Sequence, residues 1–389
     1  MITVDQLWAL VDHLTPAPLP AERGELGDLA GRVLREDVRA DLDQPPFDRT
    51  AFDGYLARLD QAPGPVRLLG QVPPGMPAPA APSHGEAWRV LTGAALPSGP
   101  LGIVMQEHTT RRPDGGVELL TAPDARMIRR RASQCRAGDV LLPAGTALRP
   151  GAGALLASVG VTAPLVTRRP RVAYVVTGDE LVPPESPPGP GQIRDSNSAL
   201  ISELLQAAHA DLVFQASSGD TPASTLEDLR LALAERPDIL LVGGGASVGD
   251  HDHSGALLRE LGFTVHADKV ASRPGKPLIT ASRGATLAFG LPGNPLSHFV
   301  CFHLFVARAL ARLRGSAPPA LTRVPLAPGA PLRSDPRETW WPATLTPLGY
   351  APLPWTDSSD LTVLARTHAL LRVPSGAAPE PSADALLLP

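Results

Sequence analysis

The sequence predicts a multi-domain α/β plus β protein, and three observations carry that expectation. Between about 168 and 315, apolar strand-like runs alternate with helical segments, the order that builds a mostly parallel sheet covered by helices on both faces. On either side, over about 41–136 and 316–389, short β segments are broken by Gly and Pro. The 45 prolines fall as scattered interruptions rather than one tract, which favours many turns and short strands over extended disorder.

Taken in order, residues 3–14 place Val4, Leu7, Leu10, Val11 and Leu14 on one helical face, so a short helix opens the chain. "PVRLLGQV", "AWRVLTG" and "LGIVMQEH" read as short strands, and "RRPDGGVELL" as a hairpin around a DG turn. They form a small β domain, 41–136, inserted between two parts of another domain, 1–40 and 137–167; the second part is a strand, a turn and a helix punctuated by glycines. In the central domain, 168–315, the strands are "RVAYVVT", "DLVFQA", "DILLV", "LITA" and "LAFG". Helices run from about Asn197 to His209, from Thr221 and Pro222, after "DILLV", and onward from Leu296. "RVPLAP", "TWWPATLTP" and "HALLRVP" supply a C-terminal β domain, 316–389, of barrel or sandwich type. Only residues 181–191 and the last dozen read as loose.

A net charge of −4 gives no general affinity for nucleic acid. The basic cluster "RMIRRR" (126–131) reads either as a solvated loop or as a contact for a phosphate or acidic partner. Cys135 and Cys301 are the only cysteines and lie far apart, so neither a disulfide framework nor a Cys-rich metal site is expected, and a reducing cytoplasm fits. The N-terminus carries acids where a signal peptide is basic, and no apolar run approaches the roughly 20 residues of a membrane span.

The candidate chemistry gathers at the strand ends, where open α/β sheets bind ligands. After "DILLV" come Gly243, Gly244 and Gly245, then Ser247, Asp250 and Asp252; such a loop serves as an anion cradle or as a tight connection. Asp250 and Asp252 suit Mg2+ beside phosphate oxygens, or helix capping. His251 and His253 lack a third ligand at a recognisable spacing, which disfavours zinc, and His298, Cys301 and His303 read as packing or surface. Arg273 and Lys276 flank a Pro-Gly turn and suit an oxyanion or a diphosphate. Pro292, Gly293 and Asn294 turn into a helix whose N–H groups face the same edge. Asp179, Glu180 and Asp220 end two further strands there. Together they read as a composite site for a phosphate-bearing ligand with a divalent cation.

With these residues in view, the chain resembles the molybdopterin molybdenumtransferase family, MoeA and the C-terminal domain of gephyrin. The segments that carry the resemblance are "PPFDRTAFDGYLAR", "VLTGAALPSG", "IRRRASQCRAGDVLLPAGT", "VVTGDEL", "GQIRDSNSALISELL", "VGGGASVGDHDH", "SRPGKPL" and "FGLPGNPLS", in family order over nearly the whole chain. The resemblance implies a discontinuous elongated domain, an inserted β domain, an α/β domain similar to the adenylylating (MogA-like) enzyme, and a C-terminal β domain. It implies a homodimer whose cleft combines the α/β and C-terminal domains of one chain with the inserted region of the other. The implied reaction is insertion of molybdate into adenylylated molybdopterin, giving molybdenum cofactor and AMP with Mg2+ assisting. The adenylyltransferase of the preceding step and downstream molybdoenzymes are expected as further partners; nucleic acid and membrane are not.

Carried over by position, Asp53, Thr92, Glu180, Asp220 and Asp252 line the metal and substrate site, with Asp53, Asp220, Asp252 and Lys276 as catalytic residues. Lys269, Arg273 and Lys276 hold molybdate or the ligand phosphates, and Ser358, Ser359 and Arg337 match small-polar and basic positions of the C-terminal domain. Gly244, Gly245, Ser247, Asp250 and the turn at 292–294 complete the substrate set. Three departures stand out: Gln134 replaces an acid, Arg273 replaces a lysine, and "ETWWPAT" lacks a second arginine. The alternatives are a substrate-binding or scaffolding paralogue with impaired turnover, which Gln134 motivates, the molybdopterin adenylyltransferase, and an unrelated Mg2+ phosphohydrolase.

Overall fold

The computed structural model describes residues 1–244, 253–329, 332, 335–376 and 381–388. The chain divides into two compact units: 36–144 with 151–164, and 1–35 with 145–150 and 165–389. Helix α1 (Val4–Leu14) opens the second of these and starts where the sequence places it, because Thr3 and Gln6 form a capping box.

The first unit is built on a six-stranded sheet of β1 (Gly54–Arg58), β2 (Gly64–Val72), β3 (Glu86–Val90), β4 (Leu101–Met105), β5 (Thr109–Arg111) and β6 (Val117–Leu119), in the order β4-β1-β3-β2-β6-β5. Strands β5 and β6 are the expected hairpin around Asp114 and Gly115. Side chains alternate: Leu56, Val90 and Ile103 enter one core and Tyr55, Ala57 and Val104 another, so both faces are covered. Helix α2 (Ala152–Ser158) completes this unit.

In the larger unit β7 (Arg171–Thr177), α3 (Ser196–Ala207), β8 (Asp211–Ser218), α4 (Pro222–Ala234), β9 (Ile239–Gly243), α5 (Ser254–Glu260), β10 (Thr264–Lys269), β11 (Pro277–Arg283) and β12 (Thr286–Leu291) follow in turn. The sheet order is β8-β7-β9-β12-β11-β10. Five strands run one way and β11 alone is reversed, so the sheet is mostly parallel as expected; the short turn before β12 allows only a hairpin. Strand β10 is an addition to the expected set, since the alternation in "TVHADK" rests on Val265 and Ala267 alone.

Val172, Tyr174 and Val176 of β7 face α3 and the long helix α6 (Pro295–Arg314), while Ala173 and Val175 face α4 and α5. This is the two-sided cover that alternation predicts. Helix α6 is long and apolar enough, by length and composition, to cross a bilayer, contrary to the expectation that no run approaches that length. Most of it is buried against the sheet, as a core helix is.

The C-terminal strands β13 (Leu321–Pro325), β14 (Glu338–Thr346), β15 (Gly349–Pro352), β16 (Ala369–Val373) and β17 (Ser382–Leu387) pair as β14-β16-β17-β13, with β15 on β14. A single bridge from Leu326 to Tyr350 links the end of β13 to β15, so the expected C-terminal β domain curls towards a barrel. Strand β17 corrects the reading of the last dozen residues as loose: its Ala383, Ala385 and Leu386 are buried, and both its neighbours hold it by ladder hydrogen bonds.

Candidate active site

The five co-directional strands bring their carboxyl ends to one edge, and the reversed β11 begins there. From β8 through β7 to β9 the chain switches sides of the sheet, α3 packing on one face and α4 on the other, which opens a crevice at the strand ends.

Two loops meet at the ends of β7 and β8. The Asp179 N–H donates to Asp220 Oδ2 at 3.2 Å and the Asp220 N–H to Asp179 Oδ1 at 3.0 Å. This reciprocal pair fixes the two acids as neighbours, both exposed. Gly178 makes room for the adjoining acid, because a Cβ there would stand 2.7 Å from Glu180 Oε2. Glu180 and Asp220 are therefore brought to one edge as expected. Among the described residues no group of three His, Cys, Asp or Glu side chains could hold a metal ion; Asp252, the third expected ligand, lies outside the described residues.

Gly244 follows β9 with φ +88°, and a Cβ there would lie 2.6 Å from the Thr177 carbonyl oxygen. Only Gly fits that turn. Gly245, Ser247, Asp250 and Asp252 lie outside the described residues. Opposite Gly244, a Cβ on Gly293 would come within 3.7 Å of the Gly244 Cα, so the two glycine turns approach closely. The 292–294 turn is held from two sides: Asn197 Nδ2 donates to the Gly293 carbonyl at 2.7 Å, and Asn294 Nδ2 donates to Ser358 Oγ at 2.7 Å. The Leu296 N–H also donates to the Ser358 carbonyl at 3.0 Å. Pro292, Gly293, Asn294 and Ser358 thus converge as expected. Ser359 turns instead to Asp357, to which its N–H and hydroxyl donate.

The cations divide. Lys269 ends β10 and Lys276 precedes β11, at the same edge, and neither ammonium has a partner among the described residues. Arg273, the other cation of the Pro-Gly turn, differs from Lys276 in having partners. It pairs with Asp335, its guanidinium lies 5.3 Å from the centre of the Trp355 ring, and its two-residue strand runs parallel to β14. Arg337 shares the same carboxylate: its N–H donates to Asp335 Oδ1 at 2.9 Å and its Nε lies at 3.4 Å. Burial pushes the Asp335 carboxyl upward, but the Arg337 N–H and the two guanidiniums outweigh it and hold it below the usual range. Sequence reasoning missed Asp335, because the tie to Arg273 that gives it a place in the site spans 62 residues.

In the smaller unit, Asp53 and Thr92 are tied together: Asp53 Oδ1 accepts from the Thr92 N–H at 2.7 Å and from its hydroxyl at 2.8 Å. The Thr92 N–H, then its hydroxyl and the nearby Arg89 charge, hold the Asp53 carboxyl below its ordinary value, so it stays ionised. Gln134 is exposed, its N–H donating to the Gln44 carbonyl at 2.9 Å. The basic cluster is largely a set of surface ion pairs, Arg126 with Asp124, Arg130 with Asp48 and Arg131 with Asp43. His298, Cys301 and His303 are buried packing residues of α6, as expected.

Two protein families match this chain. Residues 2–160 match the MoeA N-terminal region (domain I and II), and residues 173–312 a family described as "Probable molybdopterin binding domain". The molybdopterin molybdenumtransferase of Nostoc sp. is 36% identical over 322 residues, covering 79% of this chain and 73% of its own. That of Haemophilus influenzae is 33% identical over 318 residues, covering 81% and 78%. The crystal structure of the molybdopterin biosynthesis MoeA protein from Pyrococcus horikoshii superposes over 100% of both chains with a TM-score of 0.80 at 25% identity. On a two-sided α/β sheet, a C-terminal β domain and matches that span most of its length, the chain belongs to the molybdopterin molybdenumtransferase family, the enzymes of molybdenum cofactor biosynthesis.

Proposed function

We propose that this enzyme inserts molybdate into adenylylated molybdopterin, releases AMP, and depends on Mg2+. The observation that carries the reading is the composition of the strand-end edge: Glu180 and Asp220 towards one end, Lys269 and Lys276, without partners among the described residues, towards the other, and glycine turns at 244 and 293 between them. A dianionic linkage and a tetrahedral oxyanion both need cations close by and backbone that can approach closely.

The donor set fits Mg2+. Hard carboxylate oxygens on two neighbouring loops, with the Glu180 carboxylate taking no hydrogen bond among the described residues, are what this ion takes when substrate phosphates complete its shell. Glu180 and Asp220, joined by Asp252, would hold it, and it would neutralise charge on the diphosphate oxygens. Lys276 and Lys269 offer point charges to molybdate or phosphate, and Asn294 and Ser358 offer a fixed polar pair. Arg273 and Arg337, bridged by Asp335, present directional N–H groups with part of their charge cancelled. Asp53 contributes a preset anion with Thr92. The functional form is a homodimer, and the cytoplasm suits a chain whose two cysteines are both free thiols.

The test is AMP release from adenylylated molybdopterin with Mg2+, in the presence and absence of molybdate. Molybdate-dependent release that is lost in Asp220→Asn is the expected result; release unchanged in that variant overturns the site. Gln134 favours one second reading, a binding paralogue with impaired turnover, because a neutral amide cannot balance a cation. Binding without release, restored by Gln134→Asp, would establish it. Consumption of ATP with metal-free molybdopterin would instead mark the preceding, adenylylating step.

A further inference from the structure

Behind the two glycine turns lie three buried polar side chains, each with a polar atom that the contacts described so far leave unused. Tyr174 on β7 and His298 on α6 are fully buried, and Asn197 on α3 is 8% exposed. Tyr174 Oη, Asn197 Oδ1 and His298 Nε2 each have no hydrogen-bond partner among the described residues. Buried polar atoms are normally satisfied, and these three belong to side chains linked by a ring contact and by their hold on consecutive carbonyls, so they call for an occupant.

Their placement is specific. The Tyr174 and His298 rings meet edge to face with centroids 5.8 Å apart. His298 Nδ1 lies 3.0 Å from the Pro292 carbonyl oxygen, and Asn197 Nδ2 lies 2.7 Å from that of Gly293. These two side chains therefore hold consecutive carbonyls of the substrate turn. Tyr174 reaches under the other turn, since a Cβ on Gly243 would stand 2.3 Å from its hydroxyl. Asp195, which caps α3 two residues before Asn197, acts electrostatically on both Tyr174 and His298.

The hydrogen inventory is complementary. A carbonyl only accepts, so His298 Nδ1 carries the proton; burial pulls the ring pKa down to about 4, so the ring is neutral and Nε2 is a bare acceptor. Asn197 donates through Nδ2, which leaves Oδ1 as an acceptor. Tyr174 has an O–H to give. Two acceptors and one donor match one water molecule, which gives two hydrogens and takes one.

We propose that Tyr174, Asn197 and His298 enclose one internal water and act with it as positioning residues, a polar floor that fixes the turns at 243–244 and 292–294 relative to each other. Removing one member lets the turns shift, and sub-ångström shifts in groups that orient a substrate are felt in binding. The inference rests on the proposed function for its kinetic readout, but its structural readout does not.

A high-resolution crystal structure is expected to show a water within hydrogen-bond distance of all three atoms, and 15N NMR to show His298 protonated at Nδ1 only. In AMP release, Tyr174→Phe and Asn197→Ala are each expected to raise KM for the nucleotide-pterin about tenfold while most of kcat is kept. Val175→Ala, a truncation on the opposite face of β7, should lower stability and leave KM unmoved. A dry site, the opposite tautomer, or a KM that moves no more in these two variants than in Val175→Ala overturns the inference. Absence of molybdate-dependent release in the wild type overturns the proposed function instead, and leaves the water and the tautomer to be judged alone.

Discussion

Lowering the pH from 7 to 5 is expected to weaken the larger unit through two imidazoles in its main core. His298 and His303 are buried on α6 among Phe299, Phe302 and Phe305, and burial pulls both from the ordinary 6.5 to about 4. The unfolded chain then binds protons that the native state refuses throughout the window between those values. Stability is complete above about 6.5 and is lost as the pH falls towards 4. At pH 5 each ring withdraws about 2 kcal/mol, so the pair withdraws about 4 kcal/mol, a large part of the roughly 5–15 kcal/mol that holds a domain. Trp8 and Trp340 border the same core and report its unfolding. Urea titration followed by tryptophan fluorescence should show the drop in wild type and a much smaller one in the His298→Gln/His303→Gln double variant. A fall below about 1 kcal/mol, or an equal fall in the double variant, would refute the reasoning.

Asp335→Asn should raise KM for molybdate roughly fivefold, the ~1 kcal/mol of a partly exposed ion pair, because Arg273 and Arg337 lose their common anchor. A lower KM would mean that Asp335 competes with the substrate for the two guanidiniums. Gly244→Ala should cost about 1–3 kcal/mol in thermal unfolding. Gly284→Ala, at φ +57° with open space around its Cβ, is the control; equal losses would contradict the clash with Thr177. Burial holds the Cys301 thiol far above its ordinary range, so iodoacetamide at pH 8 should label the half-buried Cys135 and spare Cys301 until the protein is unfolded. Mass spectrometry of the native protein decides it.

The parts of the fold that were legible are those in which one segment carries its own signal. The capping box at Thr3, the Thr221 and Pro222 start of α4, the DG hairpin and the apolar strands β7 and β9 all sit where local pattern puts them. What failed depended on partners distant in sequence. Strand β10 is an edge strand whose exposed residues alternate with only two small or partly buried apolar ones, Val265 and Ala267, a weak signal in the sequence. Strand β17 is apolar, but its place in the barrel is set by pairing with β13 and β16, more than 50 and about ten residues earlier. The direction of β11 follows from the length of the turn before β12.

The candidate site divides along the same line. Glycines and acids at strand ends are local facts, and Glu180, Asp220, Gly244, Gly293 and Asn294 gather where the pattern of strands sends them. The state of a charge is a tertiary fact. Arg273 and Lys276 look alike in "SRPGKPL", yet the first shares Asp335 with Arg337 while the second has no partner among the described residues. Reading both as free cations overcounts the positive charge by the one carboxylate that the barrel supplies. The mobile, compact charge at this edge therefore belongs to the lysines, and the guanidiniums serve geometry more than charge, their planes fixed by Asp335 and, for Arg273, by Trp355. On the function proposed above, an anion at this edge would meet two kinds of donor, one that attracts it from any direction and one that orients it, and the second kind is what a tetrahedral oxyanion needs in order to be held still.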